Sequence, residues 1–62
     1  MPFRIFKLQS DGSLHFVEAM HTFDDAKGRV GELADVWPGE YVIDDEETEE
    51  RLFVNTRDER KN

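Results

Sequence analysis

"TFDDAKGRVGELADVWPG", Thr22 to Gly39, decides how this 62-residue chain is read. Phe23, Ala26, Val30, Leu33, Ala34 and Trp37 recur at helical spacing. At about 100° per residue they form one stripe, the mark of an amphipathic helix lying on a sheet. Thr22 can cap its start by accepting from a backbone N–H, and Asp25 three residues on resembles the third partner of a capping box. Asp24 and Asp25 also suit the positive end of the helix dipole. Pro38 and Gly39 end the helix: proline biases Trp37 away from helical geometry, and glycine permits the reversal.

Working outward, the flanks read as strands. Phe3 to Gln9 alternates apolar and polar residues over a short span, and Leu14 to Met20 does the same. "SDGS" lies between them, and Asp11-Gly12 is a strong hairpin signal. A two-residue turn there predicts Leu8 facing His15, Phe6 facing Val17 and Arg4 facing Ala19 on one side. On the other side it pairs Phe3 with Met20, Ile5 with Glu18 and Lys7 with Phe16. A one-residue slip would exchange the faces, so this assignment rests on the turn length. Beyond the helix, Glu40 to Asp44 and Arg51 to Asn55 read as two further strands.

The order is β-β-α-β-β, an α+β fold with a four-stranded sheet and one helix packed on one face. Residues 1–56 form the single domain, and 57–62 are expected to be a frayed polar tail. The helix is long enough for a crossover, which would make the second and third strands parallel neighbours. Which strands lie at the edges is open.

Composition narrows the function. A single domain this small buries only about 60% of its unfolded surface, so its stability is marginal. There is no cysteine, hence no disulfide, thiolate metal site or Cys nucleophile. "MPFRIFKLQS" has no apolar run long enough for a signal peptide or membrane span, and the expectation is a cytoplasmic protein. The net charge is −7, from fifteen acids and eight bases. Asp44, Asp45, Glu46, Glu47, Glu49 and Glu50 supply six of the acids, so the rest of the chain is nearly neutral. A local acidic patch argues against nucleic-acid binding and leaves a basic protein or a cation as an electrostatic partner. Calcium loops space their acids around a glycine, which this run lacks, so it reads chiefly as a solvated hairpin tip.

Other candidates fall away. His15 and His21, six residues apart on a strand, are roughly 20 Å apart and cannot share a metal. Ser10 and Ser13 are turn residues rather than nucleophiles. "GRVG" sits mid-helix and lacks the Lys-Ser/Thr of a phosphate loop. Gly28 and Gly31 each cost a helix roughly 1 kcal/mol against alanine and read as tolerated weak sites. Trp37 reads as a lid over the core. The expectation is no enzyme, no cofactor, no small-molecule substrate and no membrane.

The telling feature is an apolar excess. One helix covers one sheet face, yet both faces of the first hairpin carry apolar residues. In the two-residue-turn register, Phe3, Ile5, Leu14, Phe16 and Met20 share a face, which is the candidate partner-binding surface. Val42 and Phe53 likewise oppose Tyr41, Ile43, Leu52 and Val54 in parity. The expected function is an interaction module that self-associates, plausibly as a homodimer, or docks through the sheet face the helix leaves open. The alternative is an acidic mimic of a polyanion, offering the 44–50 run to a basic protein site.

From His21 to Val54 the chain resembles small uncharacterised bacterial β-β-α-β-β proteins. In these a Thr-led helix with "DA" near its start ends before a "PGEY-V-I" strand and closes in a hairpin. The resemblance implies the fold and transfers no catalytic or ligand residue. Thr48-Glu49-Glu50 stands at the closing turn where a glycine is expected.

Overall fold

Apolar residues alternate with polar ones on both sides of the capped helix, and they build four strands around it. The computed structural model describes residues 2–55, so the expected tail at 57–62 lies outside the described residues. The elements are β1 (Phe3–Leu8), β2 (Leu14–Met20), α1 (Phe23–Val36), β3 (Glu40–Asp45) and β4 (Arg51–Asn55). They form one α+β unit, a single antiparallel sheet in the order β2-β1-β3-β4 with α1 on one face.

That order corrects the expected neighbourhood of β2 and β3. Both pair antiparallel with β1, one on each side, so they run the same way with β1 between them. The physical reason lies in β1, which carries Phe3, Ile5, Phe6 and Leu8 in six residues. A strand apolar on both faces gains most from the centre of a sheet, whereas β2, with His15 and Glu18, tolerates an edge.

The first hairpin differs from a two-residue turn. The Gly12 N–H donates to the Gln9 carbonyl and the Gln9 N–H to the Ser13 carbonyl, leaving a three-residue loop, Ser10 to Gly12. Only Gly12 takes a positive φ, +90°, so the turn is not type I′, which needs positive φ at both central residues. Asp11 explains the choice. Its carboxylate accepts from the Ser13 backbone N–H at 2.9 Å and the Ser13 hydroxyl at 2.7 Å. The longer loop shifts the pairing to Leu8 with Leu14, Lys7 with His15 and Phe6 with Phe16. A bulge opposite the Ile5–Phe6 step then absorbs Val17 and restores the expected pairs Ile5–Glu18, Arg4–Ala19 and Phe3–Met20.

α1 begins as the sequence predicts: Thr22 accepts from the Asp25 N–H at 3.1 Å. It ends with the Trp37 N–H on the Leu33 carbonyl. Ile5, Ala26, Val30, Tyr41 and Ile43 are the buried core between helix and sheet, joined by Phe3, Val17, Met20, Leu33, Ala34 and Val54. Arg29 clips the outer helix to β2 through Glu18 at 2.7 Å. Trp37 is a lid, as expected, but it covers a lysine. The ammonium of Lys7, a residue only 9% exposed, lies 5.1 Å from the Trp37 ring centroid and 5.8 Å from that of Tyr41. The Tyr41 hydroxyl donates to the Trp37 carbonyl, fixing the lid. Gly39, at φ +144°, passes so close that a Cβ there would lie 2.7 Å from Lys7 Nζ.

Gly28 and Gly31 meet open space. Replacing both by alanine is expected to stabilise the protein by about 1–2 kcal/mol in urea unfolding, because nothing opposes the gain in helix propensity. The β3–β4 turn holds a second opportunity. Glu49 adopts φ +65°, the left-handed conformation that glycine takes without penalty. Glu49→Gly is therefore expected to raise the unfolding midpoint, by about 1 kcal/mol in free energy.

Candidate functional site: the open sheet face

The face of the sheet away from α1 is built by cross-strand register. Phe16 pairs with Phe6, Phe6 with Val42, and Val42 with Phe53. Direct partners have their Cβ atoms about 4.5–5.5 Å apart on one face, so these four side chains form a row across all four strands. The Phe6 and Phe16 rings meet edge to face at 5.8 Å. Val42 is fully buried although no helix lies over it, because Phe6 and Phe53 flank it. The ends of the row are open: Phe16 is 52% exposed and Phe53 61%.

The bulge changes which residues occupy this face. Of Phe3, Ile5, Leu14, Phe16 and Met20, expected together, Ile5 is fully buried under α1, and Phe3 and Met20 pack on the same core. Only Phe16 and Leu14 lie on the open face, opposite Phe6 and Leu8. Val17, expected opposite Phe6, instead packs toward the helix, and Phe16 takes its place beside Phe6. The exchange follows from the extra loop residue, since a shift of one reverses every side chain until the bulge resets it.

Beside the apolar row runs an ionic one that inspection of the sequence missed. Arg4 pairs with Asp44 across β1 and β3, and Asp44 with Arg51 across β3 and β4. Arg4 Nε donates to Asp44 Oδ2 at 3.0 Å, and Arg51 Nε to Asp44 Oδ1 at 3.2 Å. Asp44 is only 4% exposed. Arg4 also lies 5.5 Å from the Phe6 ring centroid, tying the two rows together. The signal was present: Arg4, Asp44 and Arg51 have the strand parity of Phe6, Val42 and Phe53. Counting Asp44 with the acidic run hid it.

The acidic run therefore divides. Asp44 belongs to the sheet, Asp45 ends β3, and Glu46, Glu47, Glu49 and Glu50 lie exposed in the turn. The turn closes through the Asp45 N–H to the Glu50 carbonyl and the Glu49 N–H to the Asp45 carbonyl. Asp45 also accepts from the Glu47 N–H at 2.9 Å. Among the described residues no group of three or more acids or histidines is placed to hold a metal. His15 meets Trp37 edge to face, with ring centroids 5.8 Å apart.

The class defined by this fold is a two-layer β-β-α-β-β domain with one sheet face uncovered, and no described helix is long and apolar enough to cross a membrane. No protein-family model, curated protein or solved structure matches the chain.

The hydrogen bond from Arg4, with further help from Arg51 and the charges of both, holds the Asp44 carboxyl below its ordinary range despite partial desolvation. Folded Asp44 thus binds its proton less tightly than the unfolded chain does. Its stabilising contribution is complete above about pH 4, the ordinary carboxylate value, and is lost as pH falls through the lower folded value. Asp44→Asn is expected to cost about 1–2 kcal/mol at pH 7, discounted because both arginines are partly exposed. In urea unfolding the variant and the parent should converge as the pH drops below about 4.

Proposed function

We propose that this chain is a small, non-enzymatic protein-interaction module that pairs with a second copy of itself through its open sheet face. The observation that carries the reading is the Phe16–Phe6–Val42–Phe53 row, apolar across the full width of the sheet and half exposed or more at both ends. A contiguous exposed apolar patch of this kind marks an interface. Its composition suits one, with phenylalanines along the row and arginines beside it. A two-fold axis lets one such face serve both partners, row upon row. Most of the −7 charge belongs to the 44–50 run, and its exposed glutamates lie past the end of β3, so they do not oppose the contact at its centre. For a domain of this size, covering the second face adds stability that one helix cannot supply.

The test is the mass in solution, by light scattering after gel filtration or by sedimentation equilibrium. The expected value is twice the 7.3 kDa of the chain. Phe53→Ser removes an exposed side chain and should weaken the dimer about tenfold or more while leaving the circular dichroism unchanged. Leu52→Ser, on the opposite face, should leave the dimer intact. A protein that stays monomeric at millimolar concentration sinks the proposal.

A further inference from the structure

The helix face of the sheet is also incompletely covered. α1 lies against β1, β2 and β3 and does not reach β4. Four strands about 4.8 Å apart make a sheet about 19 Å wide, and one helix is only about 10 Å across. What remains over β3 and β4 is about one helix wide, and neighbouring helices pack about 8–10 Å apart. The structure has a groove of about 690 Å³ there. Ile43 and Leu52, cross-strand partners, make its floor, and Phe3 and Phe23, with ring centroids 6.0 Å apart, make its wall. Leu52 is 43% exposed and Phe23 is also open to solvent.

Charge selects the occupant. Asp45 and Glu50 line the same groove, and neither is in an ion pair among the described residues. Asp24 follows Phe23 in the first turn of α1 and adds to the acidity at that end, whereas Glu46 is engaged by Arg4 at 3.3 Å and lies outside the groove. The one cation in the lining, Arg51, is engaged on the other face by Asp44. A second copy of this chain, at −7 and with no basic residue in the last turn of its helix, does not complement such a site.

We infer that this groove docks a basic amphipathic helix of another protein. The helix lays an apolar stripe on Leu52 and Phe23, over the buried Ile43, and sets lysines or arginines against Asp45 and Glu50. It would lie alongside α1 and complete the helical layer over β3 and β4. Helix-in-groove recognition of this kind reads apolar anchors at i, i+3, i+4 and i+7, and the flanking charges set orientation and on-rate. The surface is distinct from the open face, so both can be occupied together. It also gives the exposed acids of the turn a role that neither a hairpin tip nor a metal loop supplies.

The test uses the full chain, ¹⁵N-labelled, and two synthetic helical peptides of about 18 residues, five turns. Both carry one leucine stripe; one has lysine flanks and the other glutamate flanks. The lysine peptide is expected to shift the amides of Phe3, Phe23, Glu50 and Leu52 and to bind at least about tenfold tighter than the glutamate peptide. Its Kd should rise with salt. Leu52→Asp should abolish binding, whereas Phe53→Ser on the other face should not change it. The inference is overturned if the two peptides bind alike or not at all. Shifts confined to Glu46–Glu49, or located on Phe16 and Phe53, overturn it as well. So do nuclear Overhauser contacts from residues 56–62 to Leu52 in the free protein, which would assign the groove to the chain's own end.

Discussion

One helix must cover four strands, and the rest of the structure follows from that mismatch. α1 is placed over β2, β1 and β3, where Ile5, Val17, Tyr41 and Ile43 receive Ala26 and Val30. Everything apolar outside that footprint has to find other cover. Val42 finds it in the neighbouring phenylalanines, whereas Leu52 and Phe53, on opposite faces of β4, remain largely open. The edge strand β4 is thus the least protected part of the sheet on either side. Among the described residues Phe16 and Phe53 on the open face and Leu52 on the helix face keep the most exposed apolar side chains of the sheet.

Polar groups inside the sheet are arranged to tolerate this shortage. Asp44 and Lys7 are the two buried charged residues among those described, and each is matched by a different chemistry. Asp44 is held between two guanidinium groups, which satisfy both carboxylate oxygens. Lys7 lies in an aromatic corner, with its stem against Gly39 and its ammonium beside Trp37 and Tyr41. The long stem of lysine fills space that an apolar residue would otherwise occupy. The glycine at 39 is thereby explained by both backbone conformation and room.

Much of the architecture was legible in the sequence, and the failures have specific causes. The helix, with its Thr22 cap and its stop at Pro38-Gly39, is written in local chemistry, and so are the four strands. Strand order was not legible, because the affinity of β1 for β3 is a property of two segments far apart in the chain. The register of the first hairpin failed at one atom group. The Asp11 carboxylate prefers Ser13 and so draws a third residue into the loop, which set Phe16 and Leu14 beside Phe6 and Leu8 rather than with Phe3 and Ile5. The bulge at Val17 has no signature in "LHFVEAM" and only the paired strand reveals it. The ionic row failed for another reason. Composition groups Asp44 with the acids that follow it, whereas strand parity groups it with Val42. The missing glycine of the last turn was legible as an anomaly, and Glu49 takes the conformation that glycine would have taken.

The central place of β1 has a consequence for how the molecule is made. β1 leaves the ribosome first, yet its second ladder joins residues such as Arg4 and Asp44, 40 positions apart. The β1–β2 hairpin can close as soon as residues near 20 emerge, since its loop is short. From then until β3 arrives, one full edge of β1 has no partner, and the apolar side chains around it have no lid. Late closure of a long loop costs chain entropy and slows folding relative to helical proteins of equal size. It also lengthens the interval in which a neighbouring nascent chain could add to that edge.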